Sequence, residues 1–315
     1  MHMIDSIRKP VQTITEVQPF PIANCYPAKN IIRLKDYYYT RPVLISDVIC
    51  ESSALEEIKG AVMDEMHNNQ LNGNVSDVSF YLKKFEGGDW TSVNTEELYE
   101  PGSLMKIPIL ITVLKQAETD PSFLSKQLLF TGTAKADRQQ HFNGGTMETG
   151  KKYTISELLN RMITDSDNDA TILLQNNMDF SIMQKLFTDL NLPQPNVNQK
   201  KYLITVRDCV KFLRILFNSS YLNHDMSEYA LDLLTHSKFD KALVHQLPTD
   251  VKVAHKFGDS GLTGGEVQLH EEGIIYLNNN PYLLAIMTKG KDFDKMANCI
   301  SSISAIVYNK MAAKP

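Results

Sequence analysis

Residues 101–114 read PGSLMKIPILITVL, and the pattern of the chain changes inside this stretch. Before it, Val78, Phe80 and Leu82 alternate with Ser79, Tyr81 and Lys83, the period of a half-buried strand, and Gly87-Gly88 turns the chain back into Trp90 to Val93. From Gly102 onward apolar residues recur at helical spacing, first as Ile107, Leu110, Ile111 and Leu114. Helices separated by short loops then continue to about His236. Thr154-Ile155-Ser156-Glu157 is a capping box for one of them, and Val206, Val210, Leu213 and Phe217 stripe another. Beyond Pro248 the strand period returns in Val251, Val253 and His255, in Glu266 to Tyr276, and in Tyr282 to Thr288 after Asn278-Asn279-Asn280-Pro281. A last helix from about Phe293 to Met311 sets Met296, Ile300, Ile303 and Val307 on one face.

Upstream, Ser53-Ala54-Leu55-Glu56 reads as a capping box opening a helix with Leu55, Ile58, Val62 and Met66 on its buried stripe. Up to about Arg41 the chain is irregular, with Pro10, Pro19, Pro21, Pro27 and a Tyr37-Tyr38-Tyr39 cluster, and reads as an arm packed on a domain. Strands and flanking helices therefore come from both ends of the chain. The expected class is α+β, an antiparallel sheet flanked by helices with an all-helical lobe inserted. The expected units are an arm at 1–41, a discontinuous α/β lobe at 42–101 and 245–315, and a helical lobe at 102–244.

The composition limits the function. In 315 residues, 32 Lys plus Arg stand against 37 Asp plus Glu, a net charge of −5, which lacks the basic footprint of a nucleic-acid binder. A small-molecule or peptide partner is the better expectation. No apolar run approaches the ~20 residues that span a bilayer. Met1-His2-Met3-Ile4-Asp5 lacks the basic start and apolar core of a signal peptide. Cys25, Cys50, Cys209 and Cys299 form no C-x-x-C and no metal-ligand spacing. Cys209 and Cys299 fall on apolar helical stripes and read as buried free thiols rather than a disulfide framework.

Three short motifs carry chemistry. Ser103-Leu104-Met105-Lys106 opens a helix, and a spacing of three sets the hydroxyl and the amine on one face, where a neutral Lys106 could take the serine proton. Ser6-Ile7-Arg8-Lys9 has the same spacing in the arm, so the pattern alone decides little. Ser166-Asp167-Asn168 stands at a break between helices, where a hydroxyl can relay a proton and an amide can hold both a lysine and a substrate carbonyl. Asp165, Asp167 and Asp169 also alternate as in a calcium loop, but Ala170 and Asn176 stand where that loop needs Gly and Glu. His255-Lys256-Phe257-Gly258 lies on a strand. There Lys256 would supply positive charge to an anionic group and help keep Lys106 neutral, and Gly258 would let a substrate backbone lie close.

The order and setting of these motifs resemble the S-x-x-K, S-D-N and K-T-G signature of class A β-lactamases and penicillin-binding proteins over roughly Ser52 to Met311. The resemblance implies that Ser103 is the acylated nucleophile and Lys106 its general base. Ser166 would protonate the leaving nitrogen, Asn168 would bind Lys106 and the substrate amide, and Lys256 would attract the substrate carboxylate. The backbone N–H groups of Ser103 and Asp259 would form the oxyanion hole, in which one donor is worth ~3 kcal/mol in the transition state. No metal or organic cofactor is implied. The substrate would be a β-lactam or a cell-wall peptide. The protein would work outside the cytoplasmic membrane, at the periplasm or cell surface, its export signal lying outside these residues.

Two departures qualify the resemblance. Phe257 replaces the hydroxyl residue of the third motif, which weakens carboxylate recognition unless Ser260 substitutes from the next turn. Class A enzymes also carry an E-x-x-L-N loop whose glutamate activates the deacylating water, whereas residues 190–202 here read LNLPQPNVNQKKY, without an acid. General-base catalysis contributes ~100- to 10,000-fold, so the acyl-enzyme is expected to clear slowly. A D,D-peptidase-like penicillin-binding enzyme and a non-catalytic module retaining the fold are the alternatives. His270, with Glu271 and Glu272, could rim the cleft, as could His141 and Glu148, and Arg161 anchors a helix.

Overall fold

The computed structural model describes residues 29–36, 38–132, 146–195, 201–261, 265–277 and 280–313. It opens with a hairpin of β1 (Lys29–Arg33) and β2 (Val43–Val48). Helix α1 (Glu56–Leu71), β3 (Asp77–Lys84) and β4 (Trp90–Val93) follow. A 3-10 turn, Gly102–Met105, leads into α2 (Lys106–Ala117) and the helical block. That block contains an antiparallel strand pair, β5 (Gln127–Leu129) with β6 (Lys152–Thr154), then α3 (Ile155–Thr164), α4 (Asn168–Gln175) and α5 (Phe180–Asp189). It ends with α6 (Val206–Cys209), α7 (Lys211–Phe217) and α8 (His224–Thr235). The chain returns through β7 (Val253–Ser260), β8 (Val267–Ile275), β9 (Tyr282–Gly290) and α9 (Phe293–Ala312).

The main sheet has the order β4-β3-β9-β8-β7, every neighbour antiparallel, so the strands from both sides of the helical block do join. The α+β class read from the sequence is the one observed. Apolar clusters cover both faces of the sheet. One gathers Leu55 with Ile58 and Val62 of α1 and Ile300, Ile303 and Val307 of α9; the other joins the helical block through Leu110, Leu158 and Leu213. That double cover corrects the expected half-buried strand. Residues 78–83 are buried throughout, and the inward polar groups find partners: Ser79 Oγ donates to the Asn94 carbonyl, and Lys83 Nζ lies 3.1 Å from Asp47.

Three further local expectations meet the structure. The capping box on Thr154 and Glu157 is formed with both reciprocal bonds. The one expected on Ser53 is not: Ser52 caps instead, accepting from the Ala54 N–H while donating to Asp89 Oδ1 at 2.6 Å, and a 3-10 turn precedes α1. The arm is not irregular throughout, since its Lys29–Arg33 segment pairs with β2. Asp47 of β2 ties this hairpin to α7, taking both terminal nitrogens of the buried Arg214 at 2.6 and 2.7 Å. Burial raises the Asp47 carboxyl, but the bonds and charges of Arg214 and Lys83 outweigh it and hold it below the usual carboxylate range. Cys209 and Cys299 are buried free thiols as read, whereas Cys50 is disulfide-bonded.

The seam between sheet and helical block is set by two glycines. A Cβ on Gly258 would stand 2.2 Å from the Pro101 oxygen and 2.9 Å from the Leu104 nitrogen. One on Gly102, where φ is +54°, would stand 2.3 Å from the Asp259 oxygen. Edge strand β7 therefore lies backbone to backbone against the 3-10 turn that carries Ser103. Gly258, expected to make room for substrate, makes room for this turn instead.

Glu272 on β8 is buried, and burial raises its carboxyl to about 8. The folded state thus holds a proton that the unfolded chain has lost, so its contribution is present below about 4.5 and is lost as pH rises toward 8. Glu272→Gln should gain stability relative to the parent between pH 4.5 and pH 8 in denaturant unfolding; equal differences at both pH values would contradict this. Gly258→Ala should cost about 1–3 kcal/mol by overpacking. Gly60→Ala, on α1 with nothing within 4 Å of the added atom, should instead gain about 0.5–1 kcal/mol in the same urea titration.

Candidate active site

Each motif is presented by a different local structure. Ser103 sits half-buried in the 3-10 turn, where the left-handed Gly102 breaks the approach from Pro101. Lys106 is the first residue of α2 and only 3% exposed. Ser166 occupies the break between α3 and α4 with φ +53°, a left-handed conformation that costs a non-glycine residue about 1–3 kcal/mol and persists when its surroundings fix it. Asp167 fixes one side by capping α4, its Oδ1 accepting from the N–H groups of Asp169 and Ala170. Arg161 reaches the same carboxylate at 3.7 Å and stacks over Tyr153, which is the helix-anchoring role read for it.

These pieces converge on one hydroxyl. Lys106 Nζ donates to Ser166 Oγ at 3.0 Å, to the Ser166 carbonyl at 2.5 Å and to Asn168 Oδ1 at 2.9 Å. Lys256 Nζ, from the far side of the seam, donates to the same Ser166 Oγ at 3.0 Å and to the Phe257 carbonyl at 3.2 Å. The two amines are therefore no more than about 6 Å apart, and two positive charges at that distance repel by about 3 kcal/mol at an effective dielectric of 20. Burial first, and the Lys106 charge second, push the Lys256 amine well below the ordinary lysine range. The cluster thus favours a neutral Lys256 amine beside the Ser166 hydroxyl.

Asp259 lies against the turn: its nitrogen is 2.9 Å from the point a Gly102 Cβ would occupy. Its backbone thereby adjoins that of Ser103, the residue after Gly102. Lys256 is fully buried rather than open to a cleft, with its Nζ 4.1 Å from the centre of the Phe257 ring. Phe257 in turn stacks on Phe239, centroids 4.1 Å apart. Ser260 Oγ is buried without a hydrogen-bond partner among the described residues.

His270 does not rim a cleft. It is fully buried, accepts from the Thr288 N–H at Nδ1 and donates from Nε2 to the Glu100 carbonyl, and burial lowers it to about 3. Glu271 is also buried, accepting from His255 Nδ1 at 2.6 Å and the Leu243 N–H at 2.6 Å. Glu148 is exposed and pairs with Lys151, while His141 lies outside the described residues. Sequence reasoning missed Gly102, Phe239 and the His255–Glu271 pair. Gly102 had a signal in Pro101-Gly102; the others meet only through the tertiary fold.

The sequence model of the Beta-lactamase enzyme family matches residues 62–311. No curated protein is significantly similar in sequence. Among solved structures, a β-lactamase from Sphaerobacter thermophilus superposes with a TM-score of 0.69 at 17% identity, covering 81% of this chain and 98% of its own. A mutant of PBP-A, an acyl-enzyme complex with penicillin G, gives 0.68 at 19% identity, covering 80% and 96%. The TLA-1 extended-spectrum β-lactamase gives 0.68 at 18%, covering 80% and 99%. At these identities the structures establish a shared fold, and the match over residues 62–311 establishes the family. A β-lactamase-like fold with its three motifs gathered on Ser166 is thus joined to a family match over most of the sequence, and the chain belongs to the β-lactamase enzyme family.

Proposed function

We propose that the protein is a serine hydrolase that acylates Ser103 on an amide carbonyl of the β-lactam or cell-wall peptide type and releases the acyl group slowly. The observation that carries this reading is the meeting of Lys106 and Lys256 on Ser166 Oγ. A serine and an amine held for binding alone would need no such shared hydroxyl. In the proposed sequence, Lys106 acts in the state in which Lys256 carries the pair's single charge, and takes the Ser103 proton as Oγ attacks the carbonyl carbon. The N–H groups of Ser103 and Asp259 stabilise the oxyanion, and Asn168 holds Lys106 and the substrate amide. Ser166 then passes its proton to the leaving nitrogen as the amide C–N bond breaks, and Lys106 hands the proton taken from Ser103 on to Ser166 Oγ.

Slow release follows from the 190–202 segment, which contains no acid. Its described residues are engaged elsewhere: Gln194 bonds back to Gln184 and Thr188, Tyr202 to the Pro193 carbonyl, and Lys201 to Glu100. The same lack of an acid suits a D,D-peptidase that β-lactams acylate and then block. The disulfide at Cys50 supports export to an oxidising compartment.

Intact-mass spectrometry after mixing with benzylpenicillin should show an adduct of the drug's mass that persists, and no adduct on Ser103→Ala. Rapid return to the free mass would remove the slow-release claim, and labelling of Ser103→Ala would remove the nucleophile. Lys106→Ala should slow adduct formation by about 100- to 10,000-fold, the range of a lost general base, measured as the rate of mass conversion.

A further inference from the structure

We infer that a second ligand site lies at the buried imidazole of His255, on the face of β7 turned away from Ser166, and that it takes a neutral mono- or disaccharide. Successive residues of a strand point to opposite faces. Lys256 reaches the helical block, and Ala254 joins the apolar cluster on that side. Val253 and Phe257, two residues to either side of His255, join the cluster of α1 and α9 instead. His255 therefore stands on the α1 and α9 side of the sheet, outside the acyl-transfer centre. Gly273, opposite it on β8, makes its seat: a Cβ there would stand 2.8 Å from the His255 Cβ.

One ring nitrogen is fixed and the other is open. Nδ1 lies 2.6 Å from Glu271 Oε1, and Glu271 Oε2 accepts from the Leu243 N–H at 2.6 Å, so the buried carboxylate is the acceptor and Nδ1 the donor. In the neutral ring this leaves an acceptor at Nε2. Nε2 bonds no described residue and is not closed off from solvent, although His255 is only 4% exposed. The space His255 helps to wall is a cavity of about 590 Å³. Small-molecule sites run from about 300 to 1,000 Å³.

The rest of the wall selects the ligand. Asp240 and Asp250 bring acceptors, Lys252 and Thr249 bring donors, and none of these four side chains takes a hydrogen bond or an ion pair among the described residues. An anion would meet two carboxylates, and a cation would meet the Lys252 amine. Mixed donors and acceptors suit hydroxyl groups, each of which can both give and accept. Val244, Leu247 and Val251 supply an apolar part of the wall on which the C–H face of a sugar ring can pack.

The test is saturation-transfer NMR of the protein with a set of neutral hexoses, N-acetylhexosamines and their disaccharides, followed by calorimetry on whichever binds. At least one sugar should receive magnetisation from the protein. The double variant Asp240→Ala/Asp250→Ala removes two exposed side chains and should weaken its affinity about tenfold or more. His255→Asn, whose amide N–H can still donate to Glu271 but which lacks the second ring nitrogen, should weaken it by a similar factor. Transfer to none of the sugars overturns the inference, and so does an affinity that both variants leave unchanged. Neither result bears on acylation of Ser103, since none of Ser103, Lys106, Ser166 and Lys256 walls this cavity.

Discussion

Two lysines from opposite sides of the molecule donate to the hydroxyl of one serine, and the rest of the site depends on that meeting. Lys106 comes from the first turn of α2 and Lys256 from edge strand β7, each 3.0 Å from Ser166 Oγ. Electrostatic repulsion alone would drive the amines apart. Their approach holds because each is buried and fixed by further acceptors, the Ser166 carbonyl and Asn168 for one, the Phe257 carbonyl for the other. The cost falls on protonation, and the Lys256 amine is pushed well below its ordinary range. Charge repulsion, destabilising for the fold, favours a neutral Lys256 amine at this hydroxyl.

The meeting requires that β7 reach the turn carrying Ser103 without side chains between them. Gly102 and Gly258 satisfy this from opposite sides, each opposed to backbone atoms of the other segment closer than any Cβ would permit. The left-handed Ser166 is the third condition, held by Asp167 capping the helix that follows. Fold and site are therefore one construction. The helical block supplies Lys106 and Ser166, the discontinuous sheet supplies Lys256 and Asp259, and the glycines close the seam.

Much of this was legible in the sequence because it is local. Hydrophobic periods and turns placed α1, α2, α9 and the strands of the main sheet, and the Thr154 capping box was read correctly since both of its bonds lie within four residues. What failed was non-local. Alternation in Val78 to Lys83 suggested one wet face, but residues distant in sequence cover both. Lys29–Arg33 has no strand period of its own and becomes a strand because Val43–Val48 pairs with it. His270 reads as a residue of the cleft rim and is buried, since β8 lies between β7 and β9. The motif residues themselves were found by spacing and order. The covering of Lys256 by Phe257, and of Phe257 by Phe239, could not be read, because an aromatic residue at that position does not announce which way its ring lies.

The central claim is that the two lysines at Ser166 are not both charged at neutral pH. It is tested most directly by NMR titration of the protein with 13C-labelled lysine side chains, the two signals assigned through Lys106→Arg and Lys256→Arg. The account predicts that the Lys256 resonance titrates well below 10.5, the ordinary value for lysine. Both resonances titrating together near about 10.4, as free lysines do, would contradict it.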